Sequence, residues 1–140
     1  MTTPAASSIT PGLLYENAGE ALTWLCDTFG LEARLVVPGE DGTILHGHLT
    51  LGAGSIMITS SELNEHPAFY THPAALGGVC SHGINVHIPD DRLDAHYAKA
   101  QVAGAQILLP LEPKEYGGRG YSCRDIGGYV WYFGSYDPWA

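Results

Sequence analysis

Gly30 and Gly104 each read as the stop of a helix, and they stand 74 positions apart. Gly54 and Gly128 each sit in a turn between two strand-like runs, and the same 74 positions separate them. A spacing kept at two landmarks, around the same order of elements, constrains the fold more than any single segment. The chain states one plan, strand–helix–strand–hairpin, twice.

The first statement starts with Thr10 to Glu16, whose alternation puts Leu13 and Tyr15 on one face and Thr10, Gly12, Leu14 and Glu16 on the other. Asn17 followed by Glu20 has the form of a capping box. Ala18, Ala21, Leu22, Leu25 and Phe29 then make one helical face. Leu31 to Val37 reads as a strand, Pro38 to Gly42 as a turn, and Leu45 to Thr59 as a hairpin about Gly52-Ala53-Gly54. The second statement starts with Ile84, Val86 and Ile88 alternating with Asn85 and His87. Pro89-Asp90-Asp91 opens a helix carrying Leu93, Tyr97 and Ala100 on one face. Gln106 to Pro110 is the next strand, Glu112 to Arg119 a loop, and a hairpin turning at Asp125 to Gly128 closes the unit. Trp131 shares a face with Tyr129 and Phe133, and that face should meet the helix. Ser61 to Ser81, with Pro67, Pro73, Gly77 and Gly78, holds no period and reads as a linker able to cover a pocket.

This pattern predicts an α+β protein of two βαβββ modules. The expected boundaries are a flexible tail over 1–8 and one domain over 9–140. Within it lie a first module at about 9–60, the linker at 61–81 and a second module at about 82–137. At 140 residues the chain is long enough for a sizeable core. No apolar run reaches membrane-spanning length, and the first residues lack the features of a signal peptide, so a cytoplasmic address is expected. A net charge of −9 with six Lys and Arg argues against nucleic acid and anionic membranes as partners. Cys26, Cys80 and Cys123 are odd in number and carry no C-x-x-C spacing, which points away from disulfides and thiolate zinc.

The run from Leu22 to Leu31, the pair Gly104-Ala105, the loop Tyr116-Gly117-Gly118-Arg119 and the run from Asp125 to Trp131 resemble the vicinal oxygen chelate superfamily. This is the glyoxalase, bleomycin-resistance and dioxygenase group. The last run is similar to the family's terminal Asp-Pro-x-Gly-x-x-Trp signature, with Ile126 in place of proline. The resemblance spans Ile9 to Trp139. It implies curled mixed sheets with the helices outside, a concave cavity inside, and a homodimer. It also places the metal ligands of metal-dependent relatives near Thr10, Met57, Gly83 and Tyr132. None of these is a His, Gln or Glu, so no cofactor is expected.

If each strand's apolar face meets its helix, the other face lines the cavity. That wall is expected to comprise Leu14, His46, His48, Thr50, Met57, Thr59, Asn85, His87 and Tyr132, with Tyr121 as a further contact for an aromatic ligand. Trp139 is a further candidate for stacking. Arg119 is expected to link to Asp125 or Glu115, or else to meet a ligand anion. Three readings follow from this site. The first is non-covalent capture of a small organic molecule, antibiotic- or metabolite-like, without metal. The alternative is a lyase, isomerase or dioxygenase-type enzyme using His46, His48 and His87 as divalent-metal ligands or as a base. A third is a domain kept for assembly, its cavity filled.

Overall fold

The computed structural model describes residues 8–140. The tail expected over 1–8 lies, apart from Ser8, outside them. The chain divides into two compact units with the boundary between His72 and Pro73. The expected linker is therefore shared: 61–72 belongs to the first unit and 73–81 to the second.

In the first unit the elements are β1 (Gly12–Tyr15), α1 (Ala18–Phe29), β2 (Glu32–Pro38), β3 (Ile44–Leu51) and β4 (Gly54–Ser60). The sheet order is β1-β4-β3-β2, with β1 parallel to β4 and the other pairs antiparallel. Strand β1 is shorter than expected because its pairing runs only from Gly12 opposite Met57 to Tyr15 opposite Ser60. Leu49, Ile56 and Ile58 are buried on the sheet, and Ala18, Ala21, Leu25 and Phe29 on the helix. Burying each large side chain stabilises the fold by about 1.5–3 kcal/mol, so this layer carries the unit. Gly30 takes φ 83° and donates its N–H to the Cys26 carbonyl at 3.2 Å, ending α1 as expected. The capping box is not realised. Asn17 Nδ2 donates instead to Glu20 Oε2 at 2.9 Å, because two adjacent polar side chains satisfy each other.

In the second unit the elements are β5 (Ile84–His87), α2 (Asp90–Val102), β6 (Gln106–Pro113), β7 (Arg119–Arg124) and β8 (Val130–Gly134). The order β5-β8-β7-β6, with β5 parallel to β8, repeats that of the first unit. Each unit is thus a βαβββ module. An aromatic layer fills the space between sheet and α2. Trp131 and Phe133 lie parallel with centroids 5.7 Å apart, Phe133 stands 4.3 Å from the His96 ring, and Tyr121 stands 4.8 Å from Tyr97. The helix-facing role expected for Trp131 and Phe133 is what the packing shows.

The β7–β8 turn is organised by one carboxylate. Asp125 Oδ1 accepts from the backbone N–H of Gly127 at 2.9 Å and of Tyr129 at 3.0 Å, and Oδ2 accepts from Trp131 Nε1 at 2.9 Å. Arg119 does not reach Asp125 or Glu115. Its Nε donates to Asp90 Oδ1 at 2.9 Å, and Nη1 and Nη2 donate to the two oxygens of Asp94 at 3.0 Å each. The expectation failed because pairing β7 beside α2 brings together residues 25 and 29 positions apart.

These bonds from Arg119 hold the Asp94 carboxyl below its usual range. A lowered folded value means that the contribution is present above the ordinary 3.8 and is lost as the pH falls through the folded value. Arg119→Ala is accordingly expected to lower the melting temperature at neutral pH and low salt. The difference from wild type should shrink in molar salt and vanish in acid, and an acid-insensitive difference would refute the ion-pair account.

Candidate functional site

The face of each sheet turned away from its helix carries the chemistry-bearing side chains. In the first unit His46, His48 and Thr50 alternate along β3 with Gly47 and Leu49, and Met57 and Thr59 follow the same rule on β4. The pairing of His48 with Met57 places these two on one face. The His46 and His48 rings stand 5.9 Å apart, edge to face. Thr59 Oγ1 donates to the Leu45 carbonyl at 3.2 Å. Leu14, placed beside Thr59 by the β1–β4 register, is only 2% exposed and offers no open wall, contrary to expectation. Part of this face is covered from within the unit: a Cβ added to Gly12 would meet the Tyr70 hydroxyl at 3.0 Å. Burial raises the pKa of that phenol.

The second unit holds a cavity of about 900 Å³. Asn85, His87 and Tyr132, all expected in the wall, line it. Tyr121 does not. Opposed residues of an antiparallel pair share a face, and Tyr121 is opposite Phe133, whose ring meets α2. Tyr121 is buried there, its hydroxyl 2.6 Å from His96 Nδ1, and burial raises its pKa. Ser122, the next residue on β7, is opposite Tyr132 and does line the cavity. Tyr116 and the segment Tyr136–Trp139 complete the rim.

Tyr132 sets the shape of this wall. A methyl at Gly134 would lie 2.7 Å from Tyr132 Cε1, and one at Gly120, the partner of Gly134 across the strands, would overlap the phenol itself. The ring therefore lies flat over a glycine pair, a placement that any side chain at either position would block. Its hydroxyl shares a 2.7 Å hydrogen bond with that of Tyr116. Burial, and then this bond, push the Tyr132 phenol up to about 12. The Tyr116 ring in turn meets Tyr136 edge to face at 5.5 Å.

The resemblance places the metal ligands of metal-dependent relatives near Thr10, Met57, Gly83 and Tyr132. Thr10 Oγ1 bonds Ser55 Oγ at 2.6 Å, Tyr132 bonds Tyr116, and Met57 and Gly83 bring neither carboxylate nor imidazole. Among the described residues no group of three or more His, Cys, Asp or Glu side chains is placed to hold a metal ion. His46 and His48 project from β3 of the first module, and His87 lines the cavity of the second.

Two βαβββ units with the same strand order define the fold class, and comparison with known proteins names it. The family model described as the glyoxalase/bleomycin resistance protein/dioxygenase superfamily matches residues 9–133. The chain belongs to that superfamily. Among solved structures it is similar to TioX from Micromonospora sp. ML1, at 30% identity and a TM-score of 0.66, covering 92% of this chain and 98% of that one. It also shares its fold with the fosfomycin resistance protein FosX of Listeria monocytogenes, at 13% identity and a TM-score of 0.69, covering 96% and 97%. A curated relative, uncharacterized protein Mb0911c of Mycobacterium bovis, is 25% identical over 91% of this chain and 82% of its own length. No helix among the described residues is long and apolar enough to cross a membrane.

Proposed function

We propose that this chain is a small-molecule-binding protein that captures an organic ligand, antibiotic- or metabolite-like, without the family's usual metal. The observation that carries the proposal is the cavity of the second module, large enough for a drug-sized molecule. Its wall combines aromatic faces with a few separated hydrogen-bonding groups, Asn85, Ser122 and His87 among them. Such a wall suits holding and orienting a ligand. FosX, a fosfomycin resistance protein, has the same fold.

The test is a thermal-shift screen of the metal-free protein against a broad library of organic compounds, joined to metal analysis of protein purified without added metal. Stabilisation by mass action from at least one compound is expected, with no stoichiometric metal. Stoichiometric iron, zinc, nickel or manganese, lost on replacing His46 and His48 by alanine, would favour the enzyme reading instead.

Self-association belongs to the same proposal. The edge strands β2 and β6 leave Leu35 52% and Leu109 50% exposed, and an edge carrying uncovered leucines favours a second copy. Light scattering should return twice the chain mass of 14.9 kDa. A mass of one chain at micromolar concentration would remove the dimer from the proposal.

A further inference from the structure

The second-module cavity is lined in part by aromatic side chains. Its floor is the Tyr132 ring, pressed onto Gly120 and Gly134. Tyr116 and Tyr136 stand edge to face beside it. Trp139 lines the rim with 90% of its surface exposed. A tryptophan so placed leaves a large apolar surface in water that a flat ligand would cover.

The charges around the cavity are one-sided. Among the described residues, no Lys or Arg lines it. The nearby cations are already engaged. Arg119 is held by Asp90 and Asp94, Arg124 donates to the carbonyls of Gly78 and Gly128, and Lys114 pairs with Glu112. Asp137 brings a carboxylate to the wall, its Oδ1 accepting the backbone N–H of Trp139 at 2.8 Å. The chain's net charge of −9 adds to that field. An anion entering here would shed its hydration with no Lys or Arg to replace it and only the His87 imidazole as a titratable cation, whereas a cation would meet a carboxylate and ring faces of negative quadrupole.

We infer that the ligand captured in this cavity is a planar aromatic or heteroaromatic molecule, neutral or cationic, stacked between Tyr132 and Trp139, with Asp137 selecting the cation. The inference rests on the capture reading and narrows it to a chemical class, setting aside phosphonates, sulfonates and other anions.

The test measures dissociation constants by calorimetry and tryptophan quenching for four probes. These are 4-aminoquinoline as planar cation, quinoxaline as planar neutral molecule, naphthalene-2-sulfonate as planar anion and cyclohexylmethylamine as non-planar cation. The planar cation should bind about tenfold or more tighter than the sulfonate and the aliphatic amine, with quinoxaline between. Trp139→Ala should weaken 4-aminoquinoline by about fivefold to tenfold and remove most of its quenching. Asp137→Asn, which keeps an acceptor for the Trp139 N–H, should bring 4-aminoquinoline down to quinoxaline and leave quinoxaline unchanged. A sulfonate or aliphatic amine that binds as tightly as the planar cation overturns the inference, as does binding indifferent to Trp139→Ala. If no probe binds but a library compound still raises the melting temperature, the ligand class is wrong and capture stands. If nothing in the library does, capture itself has failed.

Discussion

Asp125→Ala should destabilise the protein by about 3–5 kcal/mol, among the largest effects of any single polar substitution in the chain. The carboxylate is buried and accepts three hydrogen bonds, from two backbone N–H groups of the turn and from the Trp131 indole. Alanine would leave those donors facing a space too enclosed for full hydration, and each such loss costs about 1–3 kcal/mol. The penalty is a large fraction of a domain stability of about 5–15 kcal/mol, and a fall of roughly 10 °C in melting temperature should accompany it. Asp125→Asn separates the bonds. Its carbonyl can keep both backbone donors, but its amide then turns an N–H toward the Trp131 N–H. It should recover part of the loss, and adding Trp131→Phe should cost more in the aspartate background, where it leaves Oδ2 without its donor, than in the asparagine one. Urea unfolding of the four variants gives the coupling directly. A loss under 1 kcal/mol for Asp125→Ala would falsify the claim that this carboxylate organises the hairpin.

That role was partly visible in the sequence. An acidic residue ahead of Ile126-Gly127-Gly128 announces a turn in which the side chain bonds its own backbone. The repeat of helix stops and turn glycines fixed the order of elements, since chain-local signals govern helix ends and hairpins. Cross-strand register is not local, and the readings that depended on it fared less well. Tyr121 was expected in the cavity and lies under α2, because its face follows from being opposite Phe133. Had the two strands been aligned at the turn, the pairing would have put Ser122, and not Tyr121, beside Tyr132. Arg119 met Asp90 and Asp94 for the same reason: two stretches distant in sequence become neighbours when β7 joins the sheet beside α2. Tyr116, Tyr136 and Asp137 lie outside the strands, where no period announces a direction. Only the concentration of aromatic residues from Tyr129 to Trp139 could have pointed to that rim.

Gly120→Ala should abolish ligand capture, and its effect on stability should change sign with the residue at 132. In isolation the change favours the fold, because alanine loses less backbone entropy than glycine in a strand, by roughly 0.5–1 kcal/mol. Here the new methyl would overlap the Tyr132 phenol, and with Gly134 and the sheet beneath the ring the cavity is the direction left to it. The ring must swing into the cavity and give up its bond to Tyr116, at a cost of about 1–3 kcal/mol for overpacking. Wild type should therefore be destabilised on balance, and a cavity occupied by its own floor should lose at least about thirtyfold in affinity for any compound that stabilises the parent. With Tyr132→Ala already in place the overlap is gone, and the same Gly120→Ala step should be neutral or stabilising. Tyr132→Phe serves as the control. It keeps the flat ring and loses only the hydroxyl bond, so capture should persist within about fivefold. If Gly120→Ala destabilises equally with alanine at 132, the cost lies in the backbone, and the glycine pair is not what holds the ring flat.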